Sequence, residues 1–181
     1  MADTITTNSE VNVLQSFSDA TAGRSQQLFW VVFTETGGIL TRDQGASSKI
    51  AQVEGVDDDE DYDITINKPT IIAGLATMDL TLQTASAGIG ATAAVAVYIK
   101  HYDGTTETTL GTMTASISSN EELTKILKIK CDVTRKMFGV GHTLRVNVVI
   151  TDGTQCTATM YTDPNTAGHE CKIWIPVVNL E

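Results

Sequence analysis

Alternation of apolar and polar residues over short stretches is the feature that most limits what this chain can fold into. Apolar side chains recur at every second position between residues 144 and 150, and again between residues 156 and 160. This period of two is typical of a β-strand with one buried face, because successive side chains of a strand point to opposite sides. Similar stretches, separated by turn residues, follow one another along most of the chain.

The first of two predicted hairpins joins the stretches on either side of Gly153. An odd loop over residues 151–153 pairs Val148 with Cys156 and Val146 with Ala158, which keeps all four side chains on one face. A two-residue loop would instead place Val148 opposite a threonine. We therefore predict a three-residue loop with the glycine in the left-handed region.

The second predicted hairpin turns at Asp103-Gly104. A two-residue turn there sets Val97 against Leu110, so we predict a tight turn. Further strand candidates lie at residues 11–17, 28–33, 50–53, 64–66, 70–81, 113–117 and 171–177. Pro176 falls inside the last of these, which suits a strand end or a sheet edge.

The segment 119–131 fits two patterns. Its first four residues resemble a helix-capping box, and Leu123, Ile126 and Leu127 have helical spacing. Residues 127, 129 and 131, however, alternate with two lysines. We predict a strand here, preceded by a short helical turn at most.

These patterns predict an all-β chain. No stretch has the length and period of an ordinary helix, and 28 threonines, which favour strands, outnumber the 12 lysines and arginines. Many short strands separated by turns are typical of a two-sheet antiparallel β-sandwich, here of the jelly-roll type. A length of 181 residues suits one domain, with residues 1–10 as an N-terminal arm.

The net charge of −10 argues against general binding to nucleic acid or to anionic membranes. No apolar run is long enough to span a membrane, and the first residues do not resemble a signal peptide. Three cysteines, Cys131, Cys156 and Cys171, are an odd number without close pairing. We therefore expect free, mostly buried thiols and synthesis in a reducing cytoplasm.

An acidic run over residues 57–63 contains the candidate metal ligands. Asp57, Asp59, Asp61 and Asp63 are spaced two apart and offer the oxygen ligands that calcium prefers. The run lacks the glycine and the terminal glutamate of an EF-hand. We interpret it as a loop, solvated or in contact with a neighbouring subunit, and keep calcium as the alternative.

No catalytic residue or cofactor site is predicted. Residues 88–93 match a dinucleotide-binding glycine pattern, but a strand-like stretch follows where that motif needs a helix. His101, His142 and His169 all lie beside turns, without a serine or cysteine motif of a known hydrolase. We therefore predict that the chain is not an enzyme and has no cofactor.

Two tryptophans, Trp30 and Trp174, lie in predicted strands, where core packing is the simplest interpretation. Trp174 is the better surface candidate, because it shares a strand face with Lys172 and Pro176. An exposed aromatic ring of this kind leaves a carbohydrate-binding role open.

Positive charge is concentrated in a short part of the sequence. Six of the 12 basic residues are Lys125, Lys128, Lys130, Arg135, Lys136 and Arg145. With the acidic run, they suggest opposite patches for contacts between copies. The wet faces of two strands are the simpler interpretation.

The order of motifs over residues 125–164 resembles a family of viral proteins. Cys131-Asp132-Val133-Thr134 is followed by a glycine-rich turn at residues 139–141, the predicted hairpin and Tyr161-Thr162-Asp163-Pro164. This order is similar to the C-terminal half of small jelly-roll structural proteins of tailed bacteriophages and related viruses. Residues 165–168 depart from the family pattern.

The resemblance implies a virion structural protein, made in the host cytoplasm, that decorates or cements a capsid through subunit interfaces. Its implied partners are the major capsid protein or other virion proteins, and its implied state is a homo-oligomer, commonly a trimer. The alternative is a glycan- or host-surface-binding module of a fibre or collar.

Overall fold

All regular secondary structure in the described part of the chain is β-strand, which confirms the all-β prediction. The computed structural model describes residues 24–34, 37–42, 51–53, 58–86, 91–119, 123–152, 156–163 and 168–178. The strands are β1 (Arg24–Thr34), β2 (Gly37–Thr41), β3 (Ala51–Val53), β4 (Asp58–Thr65), β5 (Thr70–Ser86), β6 (Ala91–Tyr102), β7 (Glu107–Ser119), β8 (Leu123–Phe138), β9 (Thr143–Asp152), β10 (Cys156–Tyr161) and β11 (Cys171–Val178). No helix in these residues is long and apolar enough to cross a membrane.

The strands form one curled, mixed sheet. Its order runs β8, β5, β11, β1, β2, β4, β9, β6 and β7, while β10 pairs with the far end of β5 and with β3. Every pair is antiparallel except β2 and β4, which are parallel. The sheet curls far enough that β7 lies against β8, although no ladder joins these two strands in the described residues.

The core lies inside the curl and draws on both halves of the sheet. Alternation places Val95, Val97 and Ile99 of β6 inward, opposite inward-facing residues of β5 and β11 such as Met78 and Ile173. Each of these side chains is almost completely buried, which contributes about 1.5–3 kcal/mol per residue relative to exposure.

A bulge in β5 explains how Pro176 fits inside a strand. Gly74 has a φ of +117°, and the β5 register with β8 shifts between Ile72 and Gly74. The ladder between β5 and β11 is interrupted at the same place, between Trp174 and Val177. Pro176, which has no backbone N–H to donate, lies in this gap. The predicted strand end or edge is therefore replaced by an interior bulge.

The predicted hairpin around Gly153 is wrong. β9 pairs with β4 on one side and β6 on the other, so Val148 lies opposite Glu60 and Val97 rather than Cys156. β10 pairs with β5 and β3. Residues 153–155 lie outside the described part of the chain. Both strands have the predicted alternation, but each finds its partners elsewhere in the sequence.

The predicted hairpin between β6 and β7 is present, with a different turn and register. The loop has four residues, since Tyr102 lies opposite Glu107, and Val97 faces Met113 rather than Leu110. A bulge between Ile99 and Lys100 adds Leu110 as an extra residue on β7 and turns it inward. The predicted two-residue turn is therefore wrong.

The acidic run is also placed differently from its prediction. Residues 58–63 belong to β4, which pairs along its whole length with β9, so the predicted loop is a strand. Residues 54–57 lie outside the described part of the chain. Asp59, Asp61 and Asp63 share one face of β4, whereas Glu60 lies on the same side as buried Tyr62 and accepts a hydrogen bond from the Gly38 amide at 3.0 Å.

Several of the remaining strand predictions are confirmed. Of the ambiguous segment 119–131, Ser119 ends β7 and residues 123–131 form the start of β8, while residues 120–122, where a helical turn was expected, lie outside the described residues. The glycine-rich stretch at 88–90 precedes strand β6 rather than a helix. The predicted strands at 28–33, 70–81, 113–117 and 171–177 lie within β1, β5, β7 and β11. The candidate strand at 11–17 and the proposed arm at 1–10 lie outside the described residues.

Candidate binding groove

The outer face of four neighbouring strands presents two parallel rows of side chains. β8, β5, β11 and β1 lie side by side, and their register aligns the residues that point away from the core. One row consists of Lys130, Thr77, Trp174 and Leu28, and the next consists of Lys128, Asp79, Lys172 and Trp30. We call these eight side chains the Trp174 face.

Two tryptophans give this face an apolar floor. Trp30 is buried with Leu28 in a small cluster outside the main core, and half-buried Trp174 packs against it. The ammonium of Lys172 lies 5.4 Å from the ring centroid of Trp30 and 6.0 Å from that of Trp174. A cation is attracted to the negative face of an indole ring, so Lys172 helps to hold both rings in place.

An open groove of about 420 Å³ lies beside Trp174. Its walls come from four strands that are far apart in the sequence. The lining residues are Gln26, Thr77, Met78, Asp79, Lys128, Ile129, Lys130 and Trp174. The groove therefore offers one indole ring together with amide, hydroxyl, carboxylate and ammonium groups, which is the mixture typical of small-molecule sites.

Two contacts fix polar side chains at the edge of the groove. Lys128 donates to both carboxylate oxygens of Asp79, with Nζ–O distances of 2.9 and 3.1 Å. The Gln26 amide donates to the carbonyl oxygen of Leu75 at 3.2 Å. The side chain of Lys128 is 79% exposed while that of Asp79 is 15% exposed, so the ammonium stands at the solvent side of the pair.

A second polar cluster lies on the opposite outer face, around Arg145 of β9. Its guanidinium donates to both carboxylate oxygens of Asp63 at 2.8 Å and contacts Asp61 and Glu107 at 2.8 Å. The same group lies 5.4 Å from the ring centroid of Tyr102. Asp61 and Asp63, two of the candidate calcium ligands, thus both contact a guanidinium.

Of the other two candidate calcium ligands, the structure describes only one. Asp59 is exposed on β4, and Asp57 lies outside the described residues. No three His, Cys, Asp or Glu side chains within the described ranges are arranged to hold a metal ion.

The protonation behaviour of the Arg145 cluster follows from burial and pairing. The hydrogen bonds that Arg145 donates to Asp63 raise the pKa of Arg145 above its ordinary value, against the effect of burial. Burial raises the pKa of Asp61 although Arg145 and Asn147 act in the other direction. The hydrogen bond from Lys100 lowers the pKa of Glu107. The cluster therefore keeps a charged guanidinium among carboxylates of unequal acidity.

The three histidines lie at two separate places in the described part of the chain. His101 and His142 contact each other through Nε2 and Nδ1 at 2.7 Å, at one end of the core beside Phe138. His169 stacks on Tyr161 with 4.1 Å between ring centroids. Within the described residues, the histidines therefore pair with a ring or with each other rather than with a serine or cysteine.

The described thiols are poor nucleophiles. Cys171 is fully buried, its Sγ accepts a hydrogen bond from the Thr81 amide at 3.1 Å, and burial raises its pKa to about 12. Cys131 is half-buried, and burial raises its pKa too. Both thiols are free, as predicted. The side chain of Cys156 lies outside the description.

Three residues of the groove carry a signal in the sequence: Trp174 as the surface tryptophan, and Lys128 and Lys130 as members of the basic cluster. Trp174 shares its outward face with Lys172, as predicted. Nothing in the sequence around Gln26, Thr77 and Asp79 indicates a binding site, because their proximity to Trp174 depends on the pairing of β1, β5 and β11. Trp30 was interpreted as core; it is buried, but on the outer side of the sheet.

The fold resembles that of several solved hydrolases. No protein-family model matches the chain, and no curated protein matches it. A CocE/NonD family hydrolase from Staphylococcus aureus has a TM-score of 0.66 at 14% identity and covers 87% of this chain and 37% of its own. An aminopeptidase from the marine sediment archaeon Thaumarchaeota archaeon has a TM-score of 0.58 at 13% identity, with 85% and 37% covered. An α-amino acid ester hydrolase has a TM-score of 0.55 at 14% identity, with 82% and 36% covered.

This comparison contradicts the prediction that the chain is not an enzyme, because its fold, with TM-scores of 0.55 to 0.66, is one that those enzymes contain. The prediction was based on the absence of a catalytic motif. A β domain can, however, be part of an enzyme without itself containing a catalytic motif. This chain spans a little over a third of the length of those proteins. At this identity the likeness shows the fold alone.

Proposed function

We propose that this chain is a glycan-binding β domain whose site is the groove beside Trp174. The observation that carries the proposal is a half-buried indole ring at the wall of an open groove that is otherwise lined by polar side chains. The chain then acts as a recognition module for sugar chains or for a surface that displays them.

The chemistry of sugars matches this combination of groups. A pyranose ring has a face of C–H groups that packs on an aromatic ring, while its hydroxyls need donors and acceptors around the rim. Trp174 supplies the ring, and Gln26, Thr77 and Asp79 supply amide, hydroxyl and carboxylate groups at the same groove. Lys172 supports the indole ring from one side.

The architecture behind the groove is proposed to be a two-sheet antiparallel sandwich of the jelly-roll type. In this description, β4, β9, β6 and β7 form one layer, and β8, β5, β11 and β1 form the other. The inward residues of both layers share one core, which supports this reading. Such a rigid layer holds the side chains of the groove in fixed positions.

Glycan binding is tested by titrating the purified chain with oligosaccharides selected on a glycan array. Trp174→Ala is expected to weaken binding at least tenfold, a loss of about 1.4 kcal/mol. Tyr98→Ala is the control, because Tyr98 lies on the other outer face and has a lysine at a similar distance, with Lys100 5.8 Å from its ring centroid. Binding that is equally affected by both changes, or no binding to any glycan, would contradict the proposal.

The hydrolases that share this fold add one measurement to the same samples. Each bound oligosaccharide is analysed by mass spectrometry for cleavage after incubation with the chain. A cleaved product that disappears in Trp174→Ala would extend the proposal from recognition to hydrolysis.

A role on a virion is the second candidate, and one surface favours it. β8 has 16 residues and pairs with β5 along one side. On its other side β7 lies against it near Cys131, without a ladder between the two strands in the described residues. Ile126 and Met137 of this strand are 50% and 58% exposed, and Leu75 of β5 is 44% exposed. Strand edges with exposed apolar side chains suit contacts between subunits.

In this second proposal, the edge of β8 contacts the major capsid protein or a neighbouring copy in a homo-oligomer such as a trimer. Sedimentation with capsids and the mass of the chain in solution test it. A chain that stays monomeric and does not sediment with capsids would rule it out. Met137→Lys should weaken either contact without affecting glycan binding, because Met137 lies at the end of β8 that is distant from Lys128 and Lys130.

A further inference from the structure

Lysines surround the Trp174 groove, although the protein as a whole is acidic. The two rows of the Trp174 face place Thr77 between Lys130 and Trp174, and Asp79 between Lys128 and Lys172. Three ammonium groups therefore surround an indole ring and one carboxylate. Over the whole chain the balance is opposite, with 22 acidic and 12 basic residues.

Only part of this positive charge is neutralised nearby. Lys128 pairs with Asp79 at 2.9 Å. Lys172 lies over the two indole rings, and neither Lys172 nor Lys130 forms an ion pair within the residues that the structure describes. A positive groove on an acidic protein attracts anions locally while the remaining surface repels them.

We propose that the groove selects acidic saccharides, that is, sugar chains that carry carboxylate groups. The sugar ring packs on Trp174, and its carboxylate accepts hydrogen bonds from Lys130 and Lys128 at the rim. The inference deepens the proposed glycan binding and rests on it. It goes further in assigning the chemical class of the sugar and the residues that select it.

Distance and geometry support this arrangement. Lys130 and Trp174 lie on the two sides of Thr77 in one row, so their Cα atoms are two strand spacings, about 10 Å, apart. A sugar ring about 5 Å across, together with an extended lysine side chain, spans that separation. The charge-assisted hydrogen bond from an ammonium to a carboxylate then adds to stacking on the ring.

The test compares two probes with the same backbone. Hexagalacturonic acid carries a carboxylate on each sugar, and its fully methyl-esterified form is neutral. We expect the acid to bind about tenfold more tightly than the ester at about 50 mM NaCl, and the difference to shrink at about 500 mM. Lys130→Gln should remove most of the preference for the acid.

Lys125→Gln is the matched control. Lys125 is on the same strand, but it lies opposite core residue Leu82 and does not line the groove. It should leave both affinities unchanged. Trp174→Ala should weaken both probes, which separates stacking from charge.

The possible outcomes separate this inference from the proposed function. Equal binding of acid and ester, or tighter binding of the ester, overturns the selection of acidic sugars and leaves glycan binding intact. If neither these probes nor any array glycan binds, the proposed function fails as well. Binding of polyglutamate as tight as that of hexagalacturonic acid, unaffected by Trp174→Ala, would indicate a general polyanion surface and would also overturn the inference.

Discussion

Arg145 shows how one side chain organises a sheet face. Its guanidinium bridges Asp61 and Asp63 of β4 and Glu107 of β7, so it ties together strands that lie on both sides of β9 and β6. The side chain is 22% exposed. Partial burial strengthens these contacts, because less water competes for the charges.

Arg145→Met should lower the free energy of unfolding by about 2 kcal/mol, since it leaves three carboxylates near one another without their shared partner. Lys128→Met should lower it by less than about 1 kcal/mol, because the Lys128–Asp79 pair is solvent-exposed on the lysine side. Urea denaturation at neutral pH measures both. Equal losses of unfolding free energy in the two variants would mean that partial burial of Arg145 does not strengthen its ion pairs.

His101 makes stability depend on pH. Burial lowers its pKa from the ordinary value of 6.5, the nearby charges of Lys136 and His142 add to the effect, and Asp103 opposes it. As pH falls through 6.5, the unfolded chain therefore binds a proton before the folded chain does. The stability that His101 contributes is fully present above pH 6.5 and is lost as the pH falls towards the lower pKa that His101 has in the folded state.

The His101→Gln variant should accordingly lose less stability than the unmodified chain between about pH 7.5 and about pH 5.5. Urea denaturation at both pH values gives the difference. An unchanged pH dependence would show that His101 is not the group responsible.

At the scale of elements, the close approach of β7 and β8 depends on a glycine. Gly111 lies opposite Ile99 at the bulge of β7. A Cβ atom at this position would lie 2.8 Å from Sγ of Cys131 and 3.2 Å from the carbonyl oxygen of Asp132. The absence of a side chain therefore lets the two ends of the curled sheet meet.

Gly111→Ala should destabilise the chain by about 1–3 kcal/mol through overpacking. Cys131→Ala removes the nearest atom, so the double variant should recover part of this loss. The coupling energy from the four unfolding free energies is the measurement. Strictly additive effects would show that the sulfur is not the obstacle.

Turn chemistry also acts at this scale. The carboxylate of Asp103 accepts hydrogen bonds from the amides of Thr105 and Thr106 at 2.9 and 2.7 Å, which closes a four-residue loop. These bonds lower the pKa of Asp103. The residues Asp103-Gly104 correctly indicated a hairpin. The alternation of side chains alone could not reveal that the loop is longer than two residues and that a bulge accompanies it.

For the whole molecule, β11 is the strand on which closure of the sheet depends. It pairs with β1 on one side and β5 on the other, although it comes last in the sequence. Its buried Cys171, Ile173 and Ile175 contribute to the main core. Their combined burial is comparable with the net stability of a whole domain, about 5–15 kcal/mol.

A chain that ends at Asp163 should therefore lose cooperative unfolding, as followed by circular dichroism during heating. Adding a peptide of residues 168–181 in excess should restore a cooperative transition, because it supplies the missing strand. A truncated chain that melts at the same temperature as the complete one would contradict this assignment.

The sequence by itself determined the all-β class, the positions of most strands and the outward face of Trp174. These features depend on the alternation of side chains within a strand, which is a local property. Alternation also predicted the strand over residues 123–131, which form the start of β8.

Only the tertiary structure decided which strands pair. Alternation in β9 and β10 fits many partners equally well. In the structure both edges of β9 are paired, with β4 and β6, and β10 pairs with β5 and β3. The same long-range pairing places residues 58–63 of the acidic run in a strand and brings Gln26, Asp79, Lys128 and Trp174 to one groove. A strand's own sequence specifies its faces, whereas its neighbours are set by the combined packing of distant segments.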